Sequence, residues 1–420
     1  MKDYMNETLQ DLMRSATRLT QAGQLREATE ALQRALRGAG SFAPPAAGQP
    51  KAPPQAHAGH GPGAEAQSLV LDGCVFEVES SERPPAQRSA APAPPSGSQQ
   101  AWGGQVFGEV RPRETATGAF TSGTHTHAAL SRHYKLYVPP GHAGRQLALV
   151  VMLHGCTQDP DDFAAGTGMN ERAREQGFCV LYPAQAADAN PSRCWNWFKH
   201  NHQRREGGEA ALLADLTQAI MRQQGIAPGR VYIAGLSAGG AMAATVAGLF
   251  PELFAAVGVH SGLPGGAAHN LPEALAAMKS GAASSMPPLD TRRHGPTSVS
   301  ASAPRQCVPT IVFHGDQDRT VHPRNAEQLV AAALGSGAAL GQSNGQGAGT
   351  ARVEQGVSVQ GRRYTRTTHL GERGNTQAEL WLVHGAGHAW SGGCPEGSYT
   401  DAKGPDATRE MLRFFFAQGA

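Results

Sequence analysis

Long apolar runs are missing from this 420-residue chain. Crossing a bilayer as a helix takes about 20 consecutive apolar residues, and no such run occurs, so no membrane span is expected. The opening residues, MKDYMNET, lack the apolar stretch of a secretory leader, which makes the cytoplasm the expected location. An excess of one charge is missing too. Lys and Arg number 36 against 34 Asp and Glu, a net charge of +2, which gives no reason to expect a nucleic-acid partner or an acidic membrane surface. Cysteine is scarce: six residues (74, 156, 179, 194, 307 and 394), with no CxxC pair, make neither a disulfide scaffold nor a zinc spacing. Glycine (52) and proline (29), by contrast, are plentiful, too much so for one compact domain, so part of the chain is expected to be linker. The length still accommodates one α/β domain of roughly 250–300 residues and a small appendage.

The appendage is read at residues 1–40. Leu9, Leu12, Met13, Ala16 and Leu19 fall on one face of a helix, Gly23 stops it, and Leu25, Ala28, Ala31, Leu32, Ala35 and Leu36 restart the pattern. One such hairpin is too little for a solenoid, which needs about three repeats, so an interaction or dimerisation role is expected. Residues 41–101 are rich in Pro, Ala and Gly and read as disordered linker, with one short strand between Ser68 and Glu79. The catalytic domain is expected over 102–420.

There the pattern is α/β. Apolar runs at Leu149–Leu153, Phe178–Tyr182, Val231–Ala234, Ala255–Val259, Thr310–Phe313 and Glu379–Val383 suit a parallel sheet covered on both faces. Helices are expected at Asn170–Gly177, Glu209–Gln224, Pro323–Leu334 and Pro405–Gln418, and Arg132–Pro139 reads as an antiparallel edge strand. Two low-complexity stretches, Ser280–Pro304 and Gly335–Gly349, read as surface loops.

The chemistry centres on Val231-Tyr-Ile-Ala-Gly-Leu-Ser237-Ala-Gly-Gly, in which a strand meets Gly-x-Ser-x-Gly and an Ala-rich helix follows. That is the context of a nucleophile elbow, where small neighbours let the strained turn fold back and a helix N-terminus favours a developing oxyanion. A carboxylate and then a histidine should come downstream. The strand Thr310–Phe313 leads into Asp316 and Asp318, of which Asp318 is placed to reach the serine and Asp316 to form a turn. The strand Glu379–Val383 leads to His384, read as structural, and to His388 in a Gly-bounded loop, read as the base. The oxyanion hole is expected from the N–H groups of Ala238 and Cys156, the latter following the Gly155 that permits close backbone approach. Cys156 itself, with no histidine of its own, is not read as a nucleophile.

Taken together, His154-Gly-Cys-Thr-Gln, Cys194-Trp-Asn-Trp-Phe, Gly235-Leu-Ser-Ala-Gly-Gly and His388-Ala-Trp-Ser-Gly-Gly resemble the poly(3-hydroxybutyrate) depolymerase family of esterases, over roughly residues 132–416. The resemblance implies an α/β-hydrolase fold, a Ser237–Asp318–His388 triad and hydrolysis of short hydroxyacyl esters without cofactor or metal. Related members cleave feruloyl or acetyl esters, so a carboxylesterase for soluble esters is the alternative, and a non-catalytic granule-binding protein is a third reading. Secreted depolymerases carry a signal peptide and a C-terminal polymer-binding domain. Neither is seen in this sequence, which points to the intracellular branch acting on storage granules. Cys156 and Cys194 are expected to stay reduced in the cytosol, though an oxidising compartment would let them pair. Trp390, Trp195 and Trp197 are expected at the cleft rim as contacts for an apolar polymer, the alternative being that they are core. The oligomeric state is left open.

Overall fold

The computed structural model describes residues 69–71, 74–76, 117–141, 144–283, 307–335, 351–371 and 374–419, all within the unit Ala66–Ala420. The expected N-terminal hairpin, most of the linker and most of both low-complexity stretches lie outside these residues. Where one short strand was expected, β1 (Leu69–Leu71) and β2 (Cys74–Phe76) pair antiparallel as a small hairpin.

The remaining long strands make one ten-stranded sheet. They are β3 (Ala119–His127), β4 (Leu130–Val138), β5 (Leu149–Leu153), β6 (Cys179–Pro183), β7 (Val231–Leu236), β8 (Ala256–His260), β9 (Thr310–Gly315), β10 (Ala351–Val357), β11 (Arg363–Leu370) and β12 (Thr376–Val383), in the order β10-β11-β12-β9-β8-β7-β5-β6-β4-β3. The six from β12 to β6 run parallel, while β3, β4, β10 and β11 are antiparallel additions. Every residue of β5 to β9 is buried, as near-continuous apolar sequence requires of strands covered on both faces.

Side chains of these strands alternate between two cores. Leu149, Val151, Leu153, Val231 and Ile233 meet α3 (Gly208–Gln224), α4 (Ala238–Leu249) and α6 (Arg324–Ala333) on one face. Val150, Met152, Tyr232 and Ala234 meet α1 (Pro160–Thr167), α2 (Met169–Gln176) and α7 (Ala407–Gln418) on the other. Phe415 of α7 stacks on Tyr232 with centroids 5.2 Å apart, and burying a side chain of this size is worth roughly 1.5–3 kcal/mol. Gly258 admits α7, since a Cβ there would stand 2.7 Å from Met411 Sδ. With α5 (Leu271–Ser280), seven helices occur among the described residues, and the arrangement is the α/β-hydrolase fold.

One expected edge strand is corrected. Residues 132–139 fall mainly in β4, which lies inside β3 and pairs on its other side with β6. The edge belongs to β3, whose sequence AFTSGTHTH has no apolar run and none of whose residues is fully buried. Among the described residues no helix is long and apolar enough to cross a membrane.

Candidate active site

Ser237 sits between the last residue of β7 and the first of α4, with φ 57° and ψ −121°. Such a left-handed φ is strained for a residue with a side chain, and close packing imposes it here. A Cβ on Gly235 would lie 2.4 Å from the Gly239 carbonyl group, and one on Gly239 would lie 2.1 Å from the Leu153 carbonyl oxygen. The glycines therefore let the elbow fold against the end of β5. The Ser237 N–H donates to the His260 carbonyl at 2.9 Å, tying the elbow to β8 as well.

Asp318 and His388 come from the turns after β9 and β12, which interlock. The Gln317 N–H donates to the Ala386 carbonyl at 3.0 Å, and Gly315 has no room for a Cβ against that same oxygen. His388 Nδ1 lies 2.7 Å from Asp318 Oδ2, and Asp318 Oδ1 accepts the N–H groups of Thr320 (2.9 Å) and Val321 (2.8 Å). Burial acts to raise the Asp318 pKa. The hydrogen bond and charge of His388, with His314 and the Val321 N–H, outweigh it and hold the carboxyl below its ordinary value. Asp316 pairs instead with His384 (2.9 Å to Nδ1) and accepts the Gly385 N–H, a turn-stabilising arrangement away from Ser237.

Ser237, His388, Cys156 and Ala238 line one pocket of about 90 Å³. Gly155, ahead of Cys156, has its N–H bonded to Gln158 Oε1 (2.9 Å) and its carbonyl bonded to His154 Nδ1 (2.7 Å). His154 Nε2 accepts the Gln185 N–H, so Nδ1 carries the proton. Burial pushes the His154 pKa down to about 4, which keeps the ring neutral near pH 7. Contrary to the expectation of reduced thiols, Cys156 and Cys194 are joined by a disulfide, their Cα atoms 4.2 Å apart. The two loops already meet there, through the Thr157 N–H donating to the Ser192 carbonyl at 2.7 Å.

Of the three tryptophans, only Trp197 lines the pocket, beside Phe198. Trp195 is fully buried in the core, its ring near His154. Trp390 is 1% exposed, stacks on His260, meets Phe163 edge-on and donates from Nε1 to Thr408 Oγ1. Both are core rather than rim. The short parallel pairing of β13 (Trp390–Ser391) with β14 (Thr400–Asp401) accompanies Trp390's inward packing. The aromatic at the mouth is Tyr399, 45% exposed, with φ 52° and its hydroxyl 3.1 Å from Thr157 Oγ1. No motif in the sequence marked it.

Two further features were missed. Leu271, Ala274, Leu275 and Met278 of α5 present one apolar helical face to the pocket. The i, i+3, i+4, i+7 spacing was readable, but not where that face would dock. Glu209, 0% exposed, holds the Cys194–Trp197 loop in place: it accepts from Arg132 (3.0 Å), Gln185 (2.6 Å) and both the backbone N–H and the side chain of Asn196 (2.8 Å each). Among the described residues no group of three or more His, Cys, Asp or Glu is placed to hold a metal ion.

A family profile described as Esterase PHB depolymerase matches residues 132–356. Poly(3-hydroxyalkanoate) depolymerase C of Paucimonas lemoignei is 32% identical over 183 residues, 43% of this chain and 43% of that protein. Acetylxylan esterase A of Talaromyces purpureogenus is 27% identical over 201 residues, 45% of this chain and 50% of that one. The chain thus spans half or less of the length of these curated relatives. Among solved structures, the acetyl xylan esterase from Aspergillus awamori superposes with a TM-score of 0.52 at 18% identity, covering 71% of this chain and 99% of that one, a likeness of fold.

Proposed function

The chain belongs to the Esterase PHB depolymerase family, and from that premise we propose that it is a serine esterase cleaving poly(3-hydroxybutyrate) or its oligomers. In this scheme Ser237 Oγ attacks the ester carbonyl while His388 Nε2 takes its proton, and Asp318 holds the ring through Nδ1. The N–H groups of Cys156 and Ala238 receive the oxyanion. Collapse breaks the ester C–O bond, and His388 passes the proton to the departing alcohol oxygen. Water, deprotonated by His388, then attacks the acyl-enzyme, releasing the carboxylic acid and restoring Ser237. No cofactor or metal takes part.

The observation that carries the substrate class is the pocket wall. Beside Ser237 and His388 it is built from Trp197, Phe198, Leu263, Leu271, Leu275 and Met278, and none of the described lining residues is Asp, Glu, Lys or Arg. An uncharged aliphatic polyester suits that wall, and an acetylated sugar finds few polar partners on it. The likeness to acetylxylan esterases supports the second reading, a carboxylesterase for soluble acetyl or aryl esters. Purified protein assayed on amorphous poly(3-hydroxybutyrate) granules, acetylated xylan and methyl ferulate, with products identified and Ser237→Ala as control, decides between them. Release of 3-hydroxybutyrate oligomers is expected, and turnover of acetylated xylan alone would overturn the first reading. Loss of p-nitrophenyl butyrate hydrolysis in Ser237→Ala would exclude a non-catalytic granule-binding role.

Location is a matter of redox chemistry. Disulfides persist in oxidising compartments and are rare in the cytosol, so the Cys156–Cys194 bridge supports passage through such a compartment over the cytoplasmic expectation. Thiol alkylation of protein taken from its native host tests this. Granule association through residues 1–40 stays a proposal for co-sedimentation with amorphous granules: unchanged binding after their deletion would reject it.

A further inference from the structure

Gln158 has no part in the scheme above, yet its carboxamide is buried beside the pocket, 2% exposed, and bonded at both ends. Oε1 accepts the Gly155 N–H at 2.9 Å. Nε2 donates to Asp162 Oδ2 at 2.9 Å and to the carbonyl and hydroxyl oxygens of Ser398 at 3.1 and 3.3 Å. Asp162 in turn accepts the Ser398 N–H at 2.8 Å. The backbone N–H of Gln158 donates to the Gly155 carbonyl at 3.3 Å, so residues 155–158 form a turn closed once by backbone and once by side chain.

Inside that turn lies the peptide between Gly155 and Cys156. In a planar trans peptide the carbonyl and the N–H point in opposite directions. Pinning the Gly155 carbonyl, through Gln158 N–H and His154 Nδ1, therefore sets where the Cys156 N–H points. The next residue, Thr157, has φ 65°, an unfavourable conformation for a β-branched side chain that persists only when its surroundings enforce it. The loop does not hold this shape by its own preference.

We propose that Gln158 is a positioning residue for ester hydrolysis: its carboxamide locks the 155–158 turn against Asp162 and Ser398 and so aims the Cys156 N–H at the developing oxyanion. This rests on the serine-esterase reading. It also joins the oxyanion loop to the segment beyond His388, because Ser398 precedes Tyr399 at the pocket mouth.

Gln158→Met keeps the side-chain length and removes all of these side-chain bonds. On p-nitrophenyl butyrate kcat should fall between about 10- and 100-fold, short of the roughly 10²–10³-fold cost of losing a whole oxyanion donor, while KM stays within about 2-fold. Inactivation by a p-nitrophenyl alkylphosphonate, whose tetrahedral adduct places an oxygen in the same hole, should slow by a similar factor. If Gln158→Met fails to fold by circular dichroism, Gln158→Glu takes its place: it keeps an acceptor for the Gly155 N–H but sets a carboxylate against Asp162, and its kcat should also fall. Unchanged kcat in a folded variant, or a lowered melting point with normal phosphonate reactivity, overturns the proposal. Wild-type protein without esterase activity overturns both readings. Wild-type activity that is abolished by Ser237→Ala and indifferent to Gln158→Met overturns this one alone.

Discussion

The turns after β9 and β12 build two histidine–aspartate pairs, and only one of them faces the pocket with Ser237. Asp316 meets His384 Nδ1 at 2.9 Å, and Asp318 meets His388 Nδ1 at 2.7 Å. In both, burial acts to raise the carboxyl pKa, and the partner histidine outweighs it and leaves the value lowered. By those measures the pairs are alike. They part at the second ring nitrogen. His384 Nε2 is bonded to Thr365 Oγ1 at 2.9 Å, while His388 lines the pocket beside Ser237. Side chains of the outer pair are 33% and 29% exposed, those of the inner pair 13% and 0%. A carboxylate on Nδ1 makes Nε2 the nitrogen free to act. What Nε2 meets then decides between a base and a brace.

The largest effect should come from exchanging each carboxylate for its amide. Asp318→Asn should lower kcat on p-nitrophenyl butyrate by roughly 10³–10⁴-fold, because the ring is left in the wrong tautomer. Asp316→Asn should change it by less than about 3-fold, as a substitution away from the reacting atoms. Melting points measured alongside separate lost chemistry from lost folding. Should Asp316→Asn be the inactive variant and Asp318→Asn stay active, the two pairs have been assigned the wrong way round.

A smaller effect concerns two buried histidines, His260 beside the inner pair and His154 behind the oxyanion loop. Burial, reinforced by the positive charge of His314 and His388, brings the His260 pKa down to about 3, and burial brings that of His154 down to about 4. In the unfolded chain these rings take up a proton near pH 6.5. Between those values the unfolded state binds more protons, so the stability present above pH 6.5 is lost as the pH falls toward 4 and then 3. Each ring contributes a slope of up to about 1.4 kcal/mol per pH unit. Denaturation midpoints followed from about pH 7 to about pH 4 should therefore decline steadily. A flat profile would mean that these rings are solvated, against the full burial of His260 and His154.

Much of this comparison was legible in the sequence. Elbow, acid and base each follow an apolar strand, and strands of that kind announce themselves: β5 fell at Leu149–Leu153 as expected. Choosing Asp318 over Asp316 and His388 over His384 relied on reach beyond a strand end, which chain length alone sets. Trp390 shows the limit of that logic. Two residues from His388, it was expected at the rim, yet proximity along the chain does not fix direction, and its ring packs between His260 and Phe163. Polar strands such as β3 and β11 carry no apolar run, so they surfaced only once their partners were in place. Thr365 lies on β11, and for that reason the bond that occupies His384 was invisible beforehand.

That bond gives the smallest expected effect and the sharpest test of the contrast. With Asp316 at Nδ1, His384 has the Thr365 hydroxyl 2.9 Å from its Nε2. Thr365→Val replaces the hydroxyl with a methyl group of similar size and leaves that nitrogen without its partner. The freed imidazole then has the same composition as the inner one, a carboxylate behind and an open nitrogen ahead. It still lies outside the pocket that Ser237 and His388 share. Esterase kcat should therefore stay within about 2-fold, while loss of the hydrogen bond lowers unfolding free energy by about 1 kcal/mol, read from urea midpoints. An activity loss approaching that of Asp318→Asn would connect the outer pair to the reaction and dissolve the distinction. Unchanged stability would mean that Thr365 braces nothing, and that exposure alone separates the two pairs.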